Sequence, residues 1–220
     1  HFTVLRLFAQ PYGYTSNNVH LGIVIKTNTK FEGQLRNTCE ETYQAIIKDL
    51  NDAIAVLPAD NTGGIYASKF AAKALLAKVY FQMNRFNDVI AQVNDIVASG
   101  KFSLSDSMNR YDNTANSHNE FIFYIKSSNN DKRSDGLKGN FNSGGTSPPE
   151  ISVSGSLYAD ATSRPGDRRA KYYEALPNGF YRLNKFTESY FDIPVLYYTD
   201  LLLMRAEALA ETNTNLTQAI

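Results

Sequence analysis

The clearest pattern in the chain is a pair of amphipathic runs between residues 70 and 100. Only Asn84 and Arg85 separate the two runs, so the helices that they predict must fold back on each other as an antiparallel hairpin. Apolar residues recur in both runs at the spacing of one helix face. They are Leu76, Val79, Tyr80 and Met83 in the first run, and Phe86, Val89, Ile90, Val93, Ile96 and Val97 in the second.

The same hairpin resembles the tetratricopeptide repeat, a helical pair of about 34 residues. That repeat has a small residue where its helices cross, a Tyr one turn later and an aromatic residue after the turn. Ala77, Tyr80 and Phe86 occupy these places. Val89 and Ile96 are larger than the alanines that the repeat prefers, so an ordinary buried helical hairpin is the alternative interpretation.

Three further segments have helical signals. Thr38 and Glu41 have the spacing of a capping box, and they open a run of helical periodicity that Pro58 ends. A last helix is predicted from after Pro194 to near Thr212. The chain also opens on a short helical run, whose apolar face consists of Phe2, Leu5 and Phe8 or Ala9.

Extended structure has weaker signals. Residues 21–25 (LGIVI) and 120–126 (EFIFYIK) are predicted as short strands. Elsewhere between residues 101 and 192, helical periodicity fades and Asn, Ser, Gly and aromatic residues dominate. A long irregular region inside a helical protein is usually functional or disordered, and aromatic residues argue against simple disorder. We expect most of these aromatic side chains to be packing anchors: Tyr111, Phe141, Tyr158, Tyr172, Tyr173, Phe180 and Tyr181.

Composition and charge exclude several classes of function. The 22 Lys and Arg residues balance the 22 Asp and Glu residues, so no overall field attracts the chain to nucleic acid or to anionic lipid. The single Cys39 has no Cys/His cluster around it, and neither a metal site nor a cofactor is predicted. The three histidines, His1, His20 and His118, are scattered and no catalytic motif is present, so we expect a protein that is not an enzyme. A pair of carboxylates assembled in three dimensions for glycoside hydrolysis stays open.

The order of the segments resembles the SusD/RagB family of outer-membrane nutrient-binding lipoproteins of the Bacteroidetes. Four groups of residues carry this resemblance, and together they span nearly the whole chain. They are LRLF (5–8) with PYG (11–13) and LGI (21–23), YQAIIKDL (43–50) with Ala53 and LP (57–58), residues 71–80 with Arg85 and Phe86, and DLLLMRAEALA (200–210).

The resemblance implies a mainly α fold of tetratricopeptide-like helical hairpins with a long irregular, partly extended loop region. Residues 1–220 would form a single SusD-like domain fragment. Its helical tetratricopeptide-like part would be 38–100, its ligand-facing irregular region 101–192, and a further, truncated tetratricopeptide-like helix 193–220. Because the chain starts and stops within helical patterns, we expect it to be a piece of a longer protein.

The resemblance also implies a function. The protein would bind glycan nutrients without catalysis at the bacterial cell surface, on the outer membrane, and pass them to a TonB-dependent, SusC-like transporter. It would meet the membrane only through a lipid anchor outside this fragment. Two alternatives stay open, a peptide-binding nutrient lipoprotein and a tetratricopeptide-type adaptor whose only ligand is another protein.

Four residues of the irregular region are predicted to bind the ligand. Phe141 and Tyr158 would offer rings for stacking, and Asn140 and Arg164 would offer polar contacts. Loop packing, or a solvated surface position, is the competing interpretation for each of them. No catalytic residue and no metal ligand is predicted.

Overall fold

The architecture comes from a computed structural model of the chain. It describes residues 1–59, 62–105, 111, 119–132, 134–142 and 144–214, with the backbone alone at positions 62 and 135. The chain divides into two compact units, a helical unit of residues 1–102 with 196–220 and a second unit of residues 103–195. In chain order the helices and strands are α1 (Phe2–Phe8), α2 (Cys39–Val56), α3 (Lys69–Gln82), α4 (Phe86–Ala98), β1 (Phe121–Ile125), α5 (Asp135–Phe141), α6 (Gly155–Ser163), β2 (Tyr173–Ala175), β3 (Tyr181–Leu183), β4 (Ile193–Tyr197) and α7 (Tyr198–Glu211).

The predicted helical hairpin is confirmed as α3 and α4. Asn84 has a left-handed backbone with a φ of 55°, a conformation that Asn tolerates better than most residues and that reverses the chain in two residues. Helix α3 also packs against α2, and α4 packs against α7. The side chains between these helices are fully buried, among them Ala74, Leu76, Ala77, Val79, Val89, Val93, Ile96 and Leu201.

The predicted capping box at the start of α2 is confirmed. The Thr38 hydroxyl accepts a hydrogen bond from the Glu41 amide over 3.1 Å, and the Glu41 carboxylate accepts one from the Thr38 amide over 2.9 Å. These bonds satisfy two of the backbone donors that a helix leaves open at its first turn. The adjoining Cys39 is fully buried, and burial raises the pKa of its thiol.

Three predictions for the helical unit are wrong in part. Phe8 is 71% exposed, because α1 ends there and only Phe2 and Leu5 face the interior. Residues 21–25 form one isolated bridge, from Leu21 to Thr38, and no strand. The last helix begins at Tyr198, later than predicted, because residues 193–197 extend as strand β4.

The second unit has more regular structure than the sequence predicts. The predicted strand at 120–126 is confirmed as β1, which pairs with β4, whose first three residues belong to this unit. The rest of the region is not wholly irregular, since the unit also contains the short helices α5 and α6 and an antiparallel hairpin of β2 and β3. The fold as a whole is mainly helical with little sheet, as predicted.

Candidate functional site

The β2–β3 hairpin is the framework of the candidate site. Tyr173 pairs with Leu183, and Ala175 pairs with Tyr181. The turn closes through a hydrogen bond of 2.8 Å from the Leu176 amide to the Phe180 carbonyl. Because successive side chains of a strand point to opposite faces, this pairing fixes the face of the hairpin on which the rings of Tyr173 and Tyr181 lie.

A network of charged and amide groups holds the two strands together. Arg182 donates two hydrogen bonds to the carboxylate of Glu174, over 3.0 and 2.9 Å, and Asn184 donates a third over 2.5 Å. The Asn184 and Arg182 bonds lower the pKa of Glu174 below its ordinary value of 4.5. Arg182 also donates to the Gly145 carbonyl over 2.7 Å, so the same guanidinium ties the hairpin to the preceding loop.

A pair of stacked tyrosines joins α6 to this hairpin. The rings of Tyr158 and Tyr181 lie 4.5 Å apart between centroids, with 27° between their planes. Both residues are half-buried. Helix α6 starts where the Ser154 hydroxyl accepts from the Leu157 amide over 3.2 Å, which sets Tyr158 one turn into the helix.

Gly155 makes this approach of helix and ring possible. A Cβ atom at this position would lie 3.3 Å from Cε2 of Tyr181, which is tighter than ordinary van der Waals contact. The chain just before α6 is bonded to the same strand, since Val153 donates to the Tyr181 carbonyl over 2.9 Å and Tyr181 donates to the Ser152 hydroxyl over 3.2 Å. Helix and strand are therefore joined through both backbone and rings.

Two ion pairs follow Tyr158 along the chain. Arg164 donates to both carboxylate oxygens of Asp160, over 2.8 and 3.0 Å, and both side chains are exposed. Arg169 forms a comparable pair with Asp167, with a shortest distance of 2.6 Å. Its hydrogen bonds lower the pKa of Asp167 to about 2. Each of these cations thus has a carboxylate beside it, so local charge is nearly balanced.

Asn140 and Phe141 lie apart from this arrangement in the sequence, at the end of α5. The Asn140 amide, oriented to satisfy its neighbours, donates to the Glu150 carboxylate over 3.0 Å. Phe141 packs on Phe186 with centroids 5.4 Å apart, and Phe186 in turn stacks on the buried Phe191. Phe141 is therefore part of a packed aromatic cluster and is only half-buried.

The arrangement suits a ligand that combines apolar faces with many hydroxyl groups. An aromatic ring offers a flat apolar surface on which the C–H face of a sugar can lie. Guanidinium groups donate and carboxylates accept hydrogen bonds, and both can serve vicinal hydroxyls. Exposed apolar side chains adjoin the two tyrosines in sequence, with Leu157 at 47% exposure and Phe180 at 46%.

Sequence reasoning missed the partner of Tyr158. Tyr181 is 23 positions away, and its place beside α6 depends on hydrogen bonds that no local pattern encodes. The alternation of apolar and polar residues in 173–175 and 181–183 is too short to be significant alone. The Asn178–Gly179 pair between these runs was the one available signal, because Asn-Gly is a strong turn sequence.

The metal-ligand residue types and the histidines are the remaining candidates for site chemistry. No group of three or more His, Cys, Asp or Glu side chains in that part of the chain is placed to hold a metal ion. The ring of His20 hydrogen-bonds to the Thr15 hydroxyl and the Gln10 carbonyl, and His118 lies outside the described residues. Among the described helices, none has the length and apolar character to span a membrane.

Comparison with known proteins confirms the predicted resemblance. Residues 1–81 match the model of a SusD-like family described as starch-binding and associating with the outer membrane. A SusD superfamily protein from Bacteroides thetaiotaomicron superposes with a TM-score of 0.80 at 20% identity, covering 99% of this chain and 53% of its own. No curated protein sequence matches.

Two further structures have the same fold. A candidate sugar-binding protein from Bacteroides vulgatus superposes with a TM-score of 0.79 at 25% identity, covering 100% of this chain and 52% of its own. A laminarin-binding SusD-like protein has a TM-score of 0.66 at 22% identity, with coverages of 86% and 54%. The chain therefore has the SusD-like fold and spans about half the length of these relatives.

Proposed function

We propose that this protein binds glycans, without altering them chemically, through a surface centred on Tyr158 and Tyr181. The observation that carries the proposal is the stacked pair itself, which is half-exposed and is followed along the chain by the exposed Asp160–Arg164 ion pair. Rings beside paired hydrogen-bonding groups are the chemistry by which proteins recognise sugars.

The family relationship supports this assignment. The matching family model is described as starch-binding and outer-membrane associated, and one structure of the same fold is a laminarin-binding protein. We infer that the protein acts at the cell surface, anchored to the outer membrane by a lipid. There it delivers glycans to a TonB-dependent transporter. The helical segments 38–100 and 193–220 would contact that transporter, and region 101–192 would hold the ligand.

The local charge balance favours neutral glycans over sulfated or strongly acidic ones. Arg164, Arg169 and Arg182 each have a carboxylate within hydrogen-bonding distance. An anionic ligand would have to compete with these carboxylates, whereas a neutral sugar can bridge a guanidinium and its carboxylate without separating them. Asn140 and Phe141 remain candidates for a second part of the same surface.

The test is a calorimetric screen of the full-length protein against laminarin, starch, mannan and mucin oligosaccharides and mixed peptides. We expect saturable binding to one neutral glycan class. Tyr158→Ala should weaken it at least tenfold while the loss of stacking on Tyr181 lowers the melting temperature only slightly, and Tyr158→Phe should retain both. Tyr66→Ala, which removes an exposed tyrosine of the helical unit, is the matched control.

Other outcomes identify the alternatives. Binding of peptides alone would make this a peptide-binding nutrient protein. The absence of binding to every member of the panel would favour the adaptor interpretation, in which the α3–α4 hairpin recognises a protein partner. Equal glycan affinity of Tyr158→Ala and the unsubstituted protein would place the site elsewhere.

A further inference from the structure

An exposed loop of the helical unit has no role in the proposed glycan site. Every residue from 26 to 36 is exposed, and we call this segment loop 26–36. Two large apolar side chains lie in it, Phe31 at 111% and Leu35 at 92% relative exposure. Two large apolar side chains so exposed in one short loop give it an apolar surface that the described part of the chain does not cover.

The base of loop 26–36 is firmly attached. The Gly22 amide donates to the Asn37 carbonyl over 2.8 Å, and the Asn37 amide donates to the Ile23 carbonyl over 3.0 Å. Arg36 adds hydrogen bonds to the carbonyls of Gly22 (2.7 Å) and Phe8 (3.1 Å). The fold therefore fixes where the loop leaves the surface, while Phe31 and Leu35 pack on no other part of the chain that the structure describes.

The charge of the loop is distinct from that of the chain. The loop contains three cations, Lys26, Lys30 and Arg36, and a single acid, Glu32, although the chain as a whole is neutral. Within the described residues neither lysine has an ion-pair partner. Cations beside exposed apolar side chains are the composition of segments that lie in the headgroup region of an anionic lipid layer.

We propose that loop 26–36 is a lipid-binding loop, which inserts Phe31 and Leu35 among the acyl chains while Lys26 and Lys30 bind anionic headgroups. A protein partner fits the loop less well. Two side chains bury on the order of 400 Å², whereas a stable protein interface needs about 800 Å² from each partner. A lipid surface accepts a small insertion, and it requires no complementary pocket.

The test is sedimentation of the full-length protein, produced without any lipid modification, with vesicles. One set contains phosphatidylcholine only, and the other adds about a third of phosphatidylglycerol. We expect partitioning onto the anionic vesicles that falls with added salt. The double variant Phe31→Ala with Leu35→Ala should reduce it at least tenfold. Lys26→Gln with Lys30→Gln should reduce it about fivefold for each lysine.

Controls remove the same groups elsewhere in the helical unit. Leu203→Ala deletes an apolar side chain that is 65% exposed, and Lys48→Gln deletes a cation that is 74% exposed; both variants should sediment like the unsubstituted protein. Absence of sedimentation, or sedimentation that the Phe31 and Leu35 substitutions leave unchanged, would overturn the proposal. Crosslinking of loop 26–36 to a protein in place of lipid would overturn it as well. The glycan screen tests a different unit of the chain, so each proposal can fail alone.

Discussion

Gly22 is the position where a single added methyl group should damage the fold most specifically. Its N–H and C=O groups anchor the base of loop 26–36, and the residue lies against the first turn of α2. A Cβ atom there would be 2.5 Å from the Thr42 hydroxyl oxygen and 2.7 Å from the Thr38 carbonyl oxygen. The Thr38 carbonyl cannot move freely, because the capping box and a hydrogen bond of 2.8 Å from the Thr42 hydroxyl hold it in place.

The expected loss follows from two opposing effects. Overpacking a site costs about 1–3 kcal/mol, and a clash with backbone belongs at the upper end. Replacement of Gly by Ala also restricts the unfolded chain, which returns about 0.4–1 kcal/mol. We therefore expect Gly22→Ala to lower the free energy of unfolding by about 2 kcal/mol. With a urea dependence of about 2 kcal/mol per molar, the midpoint should fall by about 1 M.

Gly33→Ala is the matched control, because it makes the same change in the same stretch of chain. Nothing lies within 4 Å of the Cβ position at Gly33, so its midpoint should stay the same or rise slightly. Urea titrations followed by the helical circular dichroism signal measure both variants. Equal midpoints for Gly22→Ala and Gly33→Ala would refute the argument from close packing at α2.

Two further predictions concern the core and the hairpin. Leu76→Ala should lower the free energy of unfolding by about 2–5 kcal/mol, since the side chain is fully buried between helices, whereas Leu203→Ala should change it by less than about 0.5 kcal/mol; urea titration of both measures the difference. The stability that Glu174 contributes should be complete above its ordinary pKa of 4.5 and should be lost as the pH falls through its lower folded value. Hydrogen exchange of the Leu176 amide, measured between pH 3 and 6, should lose protection at the acid end, and a Glu174→Gln variant with the same pH dependence would contradict this.

The helical part could be predicted because its signals are local. The α3–α4 hairpin needs only two apolar stripes and a two-residue turn, and Asn84 tolerates the left-handed backbone of that turn. The capping box at Thr38 is similarly contained in four residues. Phe8 was misassigned because periodicity marks a helix face without marking where the helix ends. Once α1 stops at Phe8, none of the elements that the structure describes covers that ring.

The second unit could be predicted much less well, because its elements are short and depend on contacts between distant residues. Helix α6 has nine residues and no buried side chain, so it has no apolar stripe to detect. Strand β4 includes Pro194, which argued for a helix start nearby. Pairing with β1, about 70 positions earlier, overrides that local signal.

The same dependence on distant contacts gives the candidate glycan surface its rigidity. Tyr181 lies on a strand whose backbone bonds to residues 152 and 153. Tyr158 lies in the first turn of helix α6, which begins two residues later, at Gly155. The two rings are therefore brought together when the chain folds, before any ligand arrives. A ligand that stacks on them need not order the rings, so more of its contact energy appears as affinity. A binding surface of this kind requires distant residues to meet, which is why the sequence suggested Tyr158 as a ligand-binding residue but did not identify Tyr181 as its partner.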